Sequence, residues 1–147
     1  MAVVSSATTV VLDCSLAIPW IITEQSNAAI DALFQDGYRG AISLLVPALW
    51  FAECGNVLNE MVKRKRLTSV QAKEGFTTLR YCRMQADAPP TVEIQSRILT
   101  LAQAHRISYY DATYLELAER SQALLATLDQ DLRAAALAAG VHCLSFS

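Results

Sequence analysis

Thr8 to Cys14 reads T-T-V-V-L-D-C, a β-branched apolar run without polar alternation that ends beside an acid. Continuous apolar character of this length is what a strand buried on both faces of a parallel sheet requires. Asp13 closes that strand, so a carboxylate sits next to the core and demands a partner. Outward along the chain the same alternation of strand and helix repeats. Ile42 to Val46 is a second buried strand, Met84 to Asp87 a short third before the Pro89–Pro90 break, Leu124 to Thr127 a fourth and Val141 to Ser145 a last. Between them lie helices. Ser15 is positioned to cap a stretch whose regularity Pro19 limits, and Ser26 or Asn27 to cap a helix through Asp36 that stops at Gly37. Pro47 suits the first turn of a helix running to about Arg64, and Thr68 restarts a helix through about Arg80. Val92 to His105 carries Ile94, Ile98, Leu101 and Ala102 at helical spacing. Tyr110 to Ser121 and the alanine-rich Asp129 to Ala139, closed by Gly140, complete the series. Strands alternating with helices predict an α/β sandwich of three layers, α/β/α, around a mostly parallel central sheet.

A chain of 147 residues, at about 100–200 residues per domain, is expected to be one domain spanning 1–147. Hydrophobic residues make up 53% and charged residues 18%, which supplies a core and excludes a disordered chain. The longest uncharged apolar run in the middle of the chain, Ala41 to Ala52, contains Ser43 and Pro47 and falls well short of the roughly 20 residues that cross a bilayer. The first ten residues carry no Lys or Arg, so the basic start of a secretory signal is missing, and the expected location is the cytoplasm. Cys14, Cys54, Cys82 and Cys143 form no C-x-x-C pair, and His105 and His142 stand in no zinc spacing. Reduced, mostly buried thiols are expected.

The net charge of −2 conceals an asymmetry. Residues 61–86 hold Lys63, Arg64, Lys65, Arg66, Lys73, Arg80 and Arg83 against Glu74 alone, leaving the remainder strongly acidic. Two readings stay open for Lys63 to Arg66: a patch that holds phosphates, or a basic helix end facing solvent.

In an open parallel sheet the cleft lies beyond the carboxyl ends of the strands, at a switch in strand order. Asp13 ends the first strand and Asp129 follows Leu124–Thr127 by two residues, so both fall on that rim. Asp111 opens its helix, where an acid often only caps. Glu53 lies beside the apolar stripe Phe51, Cys54, Leu58 and Met61, with Trp50, Asn56, Val57 and Glu60 on its own face. Taken alone it reads more readily as a solvated carboxylate. Taken together, several close carboxylates raise one another's pKa unless a cation compensates them. Hard divalent ions such as Mg²⁺ or Mn²⁺ favour such oxygen ligands. A bound ion of this kind polarises a phosphodiester and readies water without any histidine or cysteine.

Four motifs appear in order: V-V-L-D-C-S at 10–15, E-C-G-N-V-L at 53–58, Y-Y-D-A-T-Y-L-E-L-A at 109–118 and L-L-A-T-L-D-Q-D-L at 124–132. Together they resemble the PIN-domain ribonucleases, and most closely the VapC-type toxins of toxin–antitoxin pairs. The resemblance implies a PIN-like fold and an Mg²⁺- or Mn²⁺-dependent endoribonuclease, the toxin component of a type II toxin–antitoxin system. Carried over by motif position, Asp13, Glu53, Asp111 and Asp129 would be the acidic, metal-binding pocket. Thr127, two positions before the last acid, would organise water or metal ligands. Ser15 and Asn56 would support the site, and Asp131 would cap the last helix. The resemblance also implies a homodimer and a cognate antitoxin, for which Leu16, Ile18, Trp20, Ile21 and Ile22 offer either a groove or core packing. Lys63, Arg64, Lys65 and Arg66 are the candidates for contact with the RNA backbone, which carries no sequence information.

Three other readings compete with this one. A haloacid-dehalogenase-like phosphatase would need a second Asp where Ser15 stands and a late lysine, yet the last lysine is Lys73. A receiver-type signalling domain lacks the same groups. A PIN-like fold serving as an RNA-binding or protein-interaction scaffold, with weak catalysis, is the remaining alternative, because fold does not fix function.

Overall fold

The computed structural model describes residues 8–147. Four parallel strands form its sheet in the order β3-β2-β1-β4: β1 Thr8–Leu12, β2 Ile42–Val46, β3 Gln85–Ala86 and β4 Leu124–Ala126. β1 lies at the centre, with Val10 facing both Leu44 and Leu124 in register. Val10, Val11 and Leu12 are almost wholly buried, and sequestering each such side chain contributes about 1.5–3 kcal/mol. The unalternated run at the start of the chain is therefore explained by burial on both faces.

Seven α-helices connect the strands among the described residues: α1 Ala17–Ile21, α2 Ala28–Arg39, α3 Trp50–Lys63, α4 Ser69–Arg80, α5 Val92–His105, α6 Tyr109–Arg120 and α7 Gln130–Ala139. Their starts follow side-chain chemistry. Asn27 accepts from the Ile30 N–H, Thr68 and Gln71 form a reciprocal capping box, and Ser108 accepts from the Asp111 N–H. Each bond satisfies a donor that the first helical turn leaves free. None of the helices is long and apolar enough to cross a membrane.

Several local expectations change in the folded chain. Ser15 does not cap a helix; it lies in a 3-10 turn, Cys14–Leu16, and its Oγ accepts from the Leu128 N–H at 2.9 Å. α2 runs past Gly37 and ends at Gly40, whose φ of 73° places it in the left-handed region that glycine tolerates. Gly37 serves packing instead, because a Cβ there would meet Leu44 Cδ1 at 2.7 Å. Pro47 precedes α3 in a turn whose carbonyl accepts from the Trp50 N–H. The expected last strand is reduced to a single bridge between Leu125 and Cys143, with backbone bonds to β4 on either side. Leu16 and Trp20 belong to the core, and Ile21 packs against it. Core packing therefore prevails over an open groove for those three residues.

From β1 the chain crosses to β2 and then β3 on one side, and only later returns to place β4 on the other. The strand order therefore reverses between β1 and β4, which puts the crevice at their carboxyl ends.

Candidate active site

Asp13 leaves β1 at that crevice, 4% exposed, with its backbone N–H donating to Ala126 O at 2.9 Å. The Thr127 hydroxyl donates to Asp13 Oδ2 at 2.7 Å, and its oxygen accepts from the Asp129 N–H at 3.0 Å. Thr127 is itself 1% exposed. One hydroxyl thus ties the ends of β1 and β4 together and fixes the orientation of the Asp13 carboxylate. Asp129 is exposed and caps α7, its Oδ1 accepting from the Leu132 N–H at 2.9 Å. The capping role expected of Asp131 thus falls to Asp129; Asp131 is exposed in the first turn of α7.

Glu53 comes from the first turn of α3 and is not a solvated carboxylate. It is half-buried, with Cys14 Sγ donating to Oε2 at 3.2 Å and Tyr114 Oη donating to Oε1 at 3.3 Å. Burial pushes its pKa up, opposed by the hydrogen bond from Cys14; the Asp13 charge raises it further and the Tyr114 bond lowers it. Asp111 stands in the first turn of α6, and its pKa is raised to about 6. Desolvation is the main cause, followed by the charges of Asp129, Asp13 and Glu53. The charges of the other three acids thus reach Asp111, and that of Asp13 reaches Glu53. Among the described residues no lysine, arginine or histidine pairs with any of them.

An uncompensated, all-oxygen donor set of this kind fits a hard divalent cation better than a soft one. The geometry is open, since among the described residues no three His, Cys, Asp or Glu side chains converge tightly enough to enclose an ion.

The supporting residues divide. Ser15 fastens the turn after Asp13 to the loop before Asp129 through Leu128. Asn56 lies one turn beyond Glu53, exposed, in a shallow depression with Leu49, Ala52, Val57 and Tyr110. The hydrogen bonds to Glu53 come from Cys14 and Tyr114. Lys63, Arg64, Lys65 and Arg66 are exposed at the far end of α3, and Lys63 Nζ pairs with Glu60 Oε1 at 2.9 Å. Ten residues separate Lys63 from Glu53, so about 15 Å of helix lies between them; the basic run is not brought into the acid cluster.

Sequence reasoning passed over Tyr114, Cys14 and a second ionic group. A signal for Tyr114 exists in its spacing, because residues three apart share a helix face and it follows Asp111 by three. The second group is Glu116, 4% exposed, with Arg120 Nε donating to its Oε1 at 2.7 Å and Arg120 also binding Asp87. Its pairing with Arg120 is an i, i+4 contact, but the meeting with Asp87 joins positions 33 apart and has no local signature.

A family model described as the PIN domain matches residues 10–137. No curated protein matches the chain in sequence. Among solved structures, one of PAE2754 from Pyrobaculum aerophilum is similar with a TM-score of 0.65 at 20% identity, covering 95% of this chain and 88% of that one. A structure of VapBC2 from Rickettsia felis bound to a DNA fragment from their promoter aligns with a TM-score of 0.69 at 10% identity, covering 95% and 100%. FitAcB from Neisseria gonorrhoeae aligns with a TM-score of 0.60 at 18% identity, covering 92% and 96%. At these identities the likeness is one of fold.

Proposed function

The chain belongs to the PIN-domain family, and from that premise we propose that it is an Mg²⁺- or Mn²⁺-dependent endoribonuclease, the toxin of a type II toxin–antitoxin pair. One observation carries the reading: four carboxylates gather at the β1/β4 crevice with, among the described residues, no protein cation to offset them. Asp13, Glu53, Asp111 and Asp129 would hold the ion. When bound, it supplies Lewis-acid polarisation of a phosphodiester and neutralises the departing oxyanion. Thr127 keeps Asp13 in place with its proton while its oxygen holds the Asp129 N–H, so neither strand end is free to drift when phosphate enters.

The proposed partners rest on the family resemblance, and the charges say where they would bind. Lys63, Arg64, Lys65 and Arg66, exposed about 15 Å along α3 from Glu53, would take the RNA backbone beyond the scissile phosphate, at a distance of about four stacked nucleotides. A basic side chain from a cognate antitoxin would satisfy the same uncompensated acids and hold the enzyme silent; the aligned VapBC2 complex supports looking for such a partner. A homodimer, a single unit spanning the chain and action in the cytoplasm complete the proposal.

A catalytically weak PIN-like scaffold has one observation in its favour, the open spacing of the acids. Incubating wild type and Asp13→Asn with total cellular RNA in Mg²⁺ or Mn²⁺, with a chelator control, and sequencing new RNA ends separates the two. Discrete cuts made only by wild type with metal support the nuclease. Equal cutting by both proteins sinks this site assignment, and no cutting by a folded, metal-binding wild type favours the scaffold.

A further inference from the structure

Among the described residues, Glu53 is the only one of the four acids whose two oxygens each accept a hydrogen bond from a side chain of another element. Cys14 reaches Oε2 from the 3-10 turn after β1, and Tyr114 reaches Oε1 from α6. Tyr114 is fully buried, and a buried tyrosine hydroxyl needs a partner; here the partner is the carboxylate itself. Asp111 and Tyr114 share one face of α6, three residues apart, so a single helix presents one acid and restrains another. Cys14 is the covalent neighbour of Asp13 and restrains Glu53 in the same way from the strand side.

These contacts leave room for an ion. An ionised carboxylate offers about four lone-pair sites, so each oxygen that accepts one bond keeps a second lone pair. Ligating carboxylates are characteristically held by hydrogen bonds of this kind, and removing such a bond costs about 10–100-fold in metal affinity. We propose that the Tyr114 hydroxyl and the Cys14 thiol clamp Glu53 from opposite sides and orient it as a metal ligand, which makes both of them positioning residues. The inference rests on reading the acid cluster as a metal centre.

Calorimetric titration with Mn²⁺ tests it on the full chain, using wild type, Tyr114→Phe, Cys14→Ala, Cys14→Ser and Asp13→Asn. Asp13→Asn examines the metal centre itself: if wild type binds Mn²⁺ no better than this variant, the metal reading fails and the clamp falls with it. If wild type binds and Asp13→Asn does not, the clamp is judged separately. Tyr114→Phe and Cys14→Ala are then expected to weaken Mn²⁺ binding roughly 10-fold, with thermal midpoints close to wild type because ring and cavity volumes change little. Cys14→Ser, which retains a hydroxyl donor, is expected to restore most of the affinity. Wild-type affinity in both Tyr114→Phe and Cys14→Ala overturns the clamp. A Cys14→Ser protein as weak as Cys14→Ala overturns it too, because packing of sulfur rather than hydrogen bonding would then matter. Should Tyr114→Phe fail to fold, the alanine and serine pair at position 14 still decides.

Discussion

Asp111 and Glu116 stand five residues apart on α6, yet their carboxylates live in opposite surroundings. Glu116 is the more buried, and Arg120 binds it through two hydrogen bonds while also engaging Asp87. Asp111 faces three other acids and, among the described residues, no cation, and its pKa rises to about 6. Five residues turn a helix by about 140°, at 3.6 residues per turn, so one element presents a neutralised carboxylate to one side and an uncompensated one to the other. Stability alone rewards the first arrangement. An acid cluster left without a counter-charge is tolerated where something outside the chain supplies it, which is why perturbed carboxylates in a crevice point to a functional site.

The largest expected effect tests that division directly. Asp13→Asn is expected to lower RNA cleavage by roughly 100-fold or more, the several kcal/mol that a bound ion supplies, while Glu116→Gln leaves it within about 2-fold of wild type when fold loss is excluded. Cleavage rates on one RNA substrate check both; equal losses would erase the distinction between the two groups of acids.

Next in size is the neutralised side. Arg120→Met strands the Glu116 carboxylate, and breaking a buried pair from one end costs about 3–5 kcal/mol. Arg120 is itself more than a third exposed, so water offsets part of the loss and about 2 kcal/mol is expected. Denaturant unfolding measures it, and the double variant Arg120→Met with Glu116→Gln is expected to recover most of it.

Asp111 gives a smaller effect of opposite sign. Its pKa in the fold, about 6, lies above the ordinary 3.8, so the unfolded chain ionises more readily. Its contribution to stability is therefore full below pH 3.8 and is lost as pH rises through 6. In metal-free protein at pH 7.5, Asp111→Asn is expected to raise the thermal midpoint by about 3 °C and to flatten the pH dependence between 4 and 6. With Mn²⁺ present the order reverses, because the ion needs the ionised acid. Thermal melts across pH, with and without Mn²⁺, show both halves.

The smallest effect lies farthest from the acids. Replacing Lys65 and Arg66 by alanine is expected to leave the cleavage rate at saturating RNA unchanged and to weaken binding with a shallower salt dependence. The slope falls by about 0.7 for each phosphate of single-stranded RNA that the protein no longer neutralises, measurable by anisotropy at several salt concentrations.

Much of this molecule was legible in the residues. The buried runs at Val10, Ile42 and Leu124 marked the strands because both faces of a parallel sheet demand apolar side chains, and Thr68 and Gly140 marked helix ends through local chemistry. The acids at positions 13, 53, 111 and 129 were legible as motif positions. Their company was not. Chain separation hides it: Glu53 meets Tyr114 across 61 residues, Thr127 meets Asp13 across 114, and Ser15 takes its hydrogen bond from Leu128 instead of capping a helix. Local composition likewise made the Val141–Ser145 tail look like a strand, whereas a strand requires a neighbour along its length and the tail meets β4 at one bridge. Sequence by itself determined the α/β alternation, the parallel character of the sheet and which acids stand at strand and helix ends, since burial period and capping act between near neighbours. Only the tertiary structure decided that Glu53 is held rather than solvated, that Asp129 is the cap, and that Arg120 neutralises Glu116 and Asp87 but none of the four acids in the crevice, because those outcomes depend on which distant side chains the strand order brings within hydrogen-bonding distance.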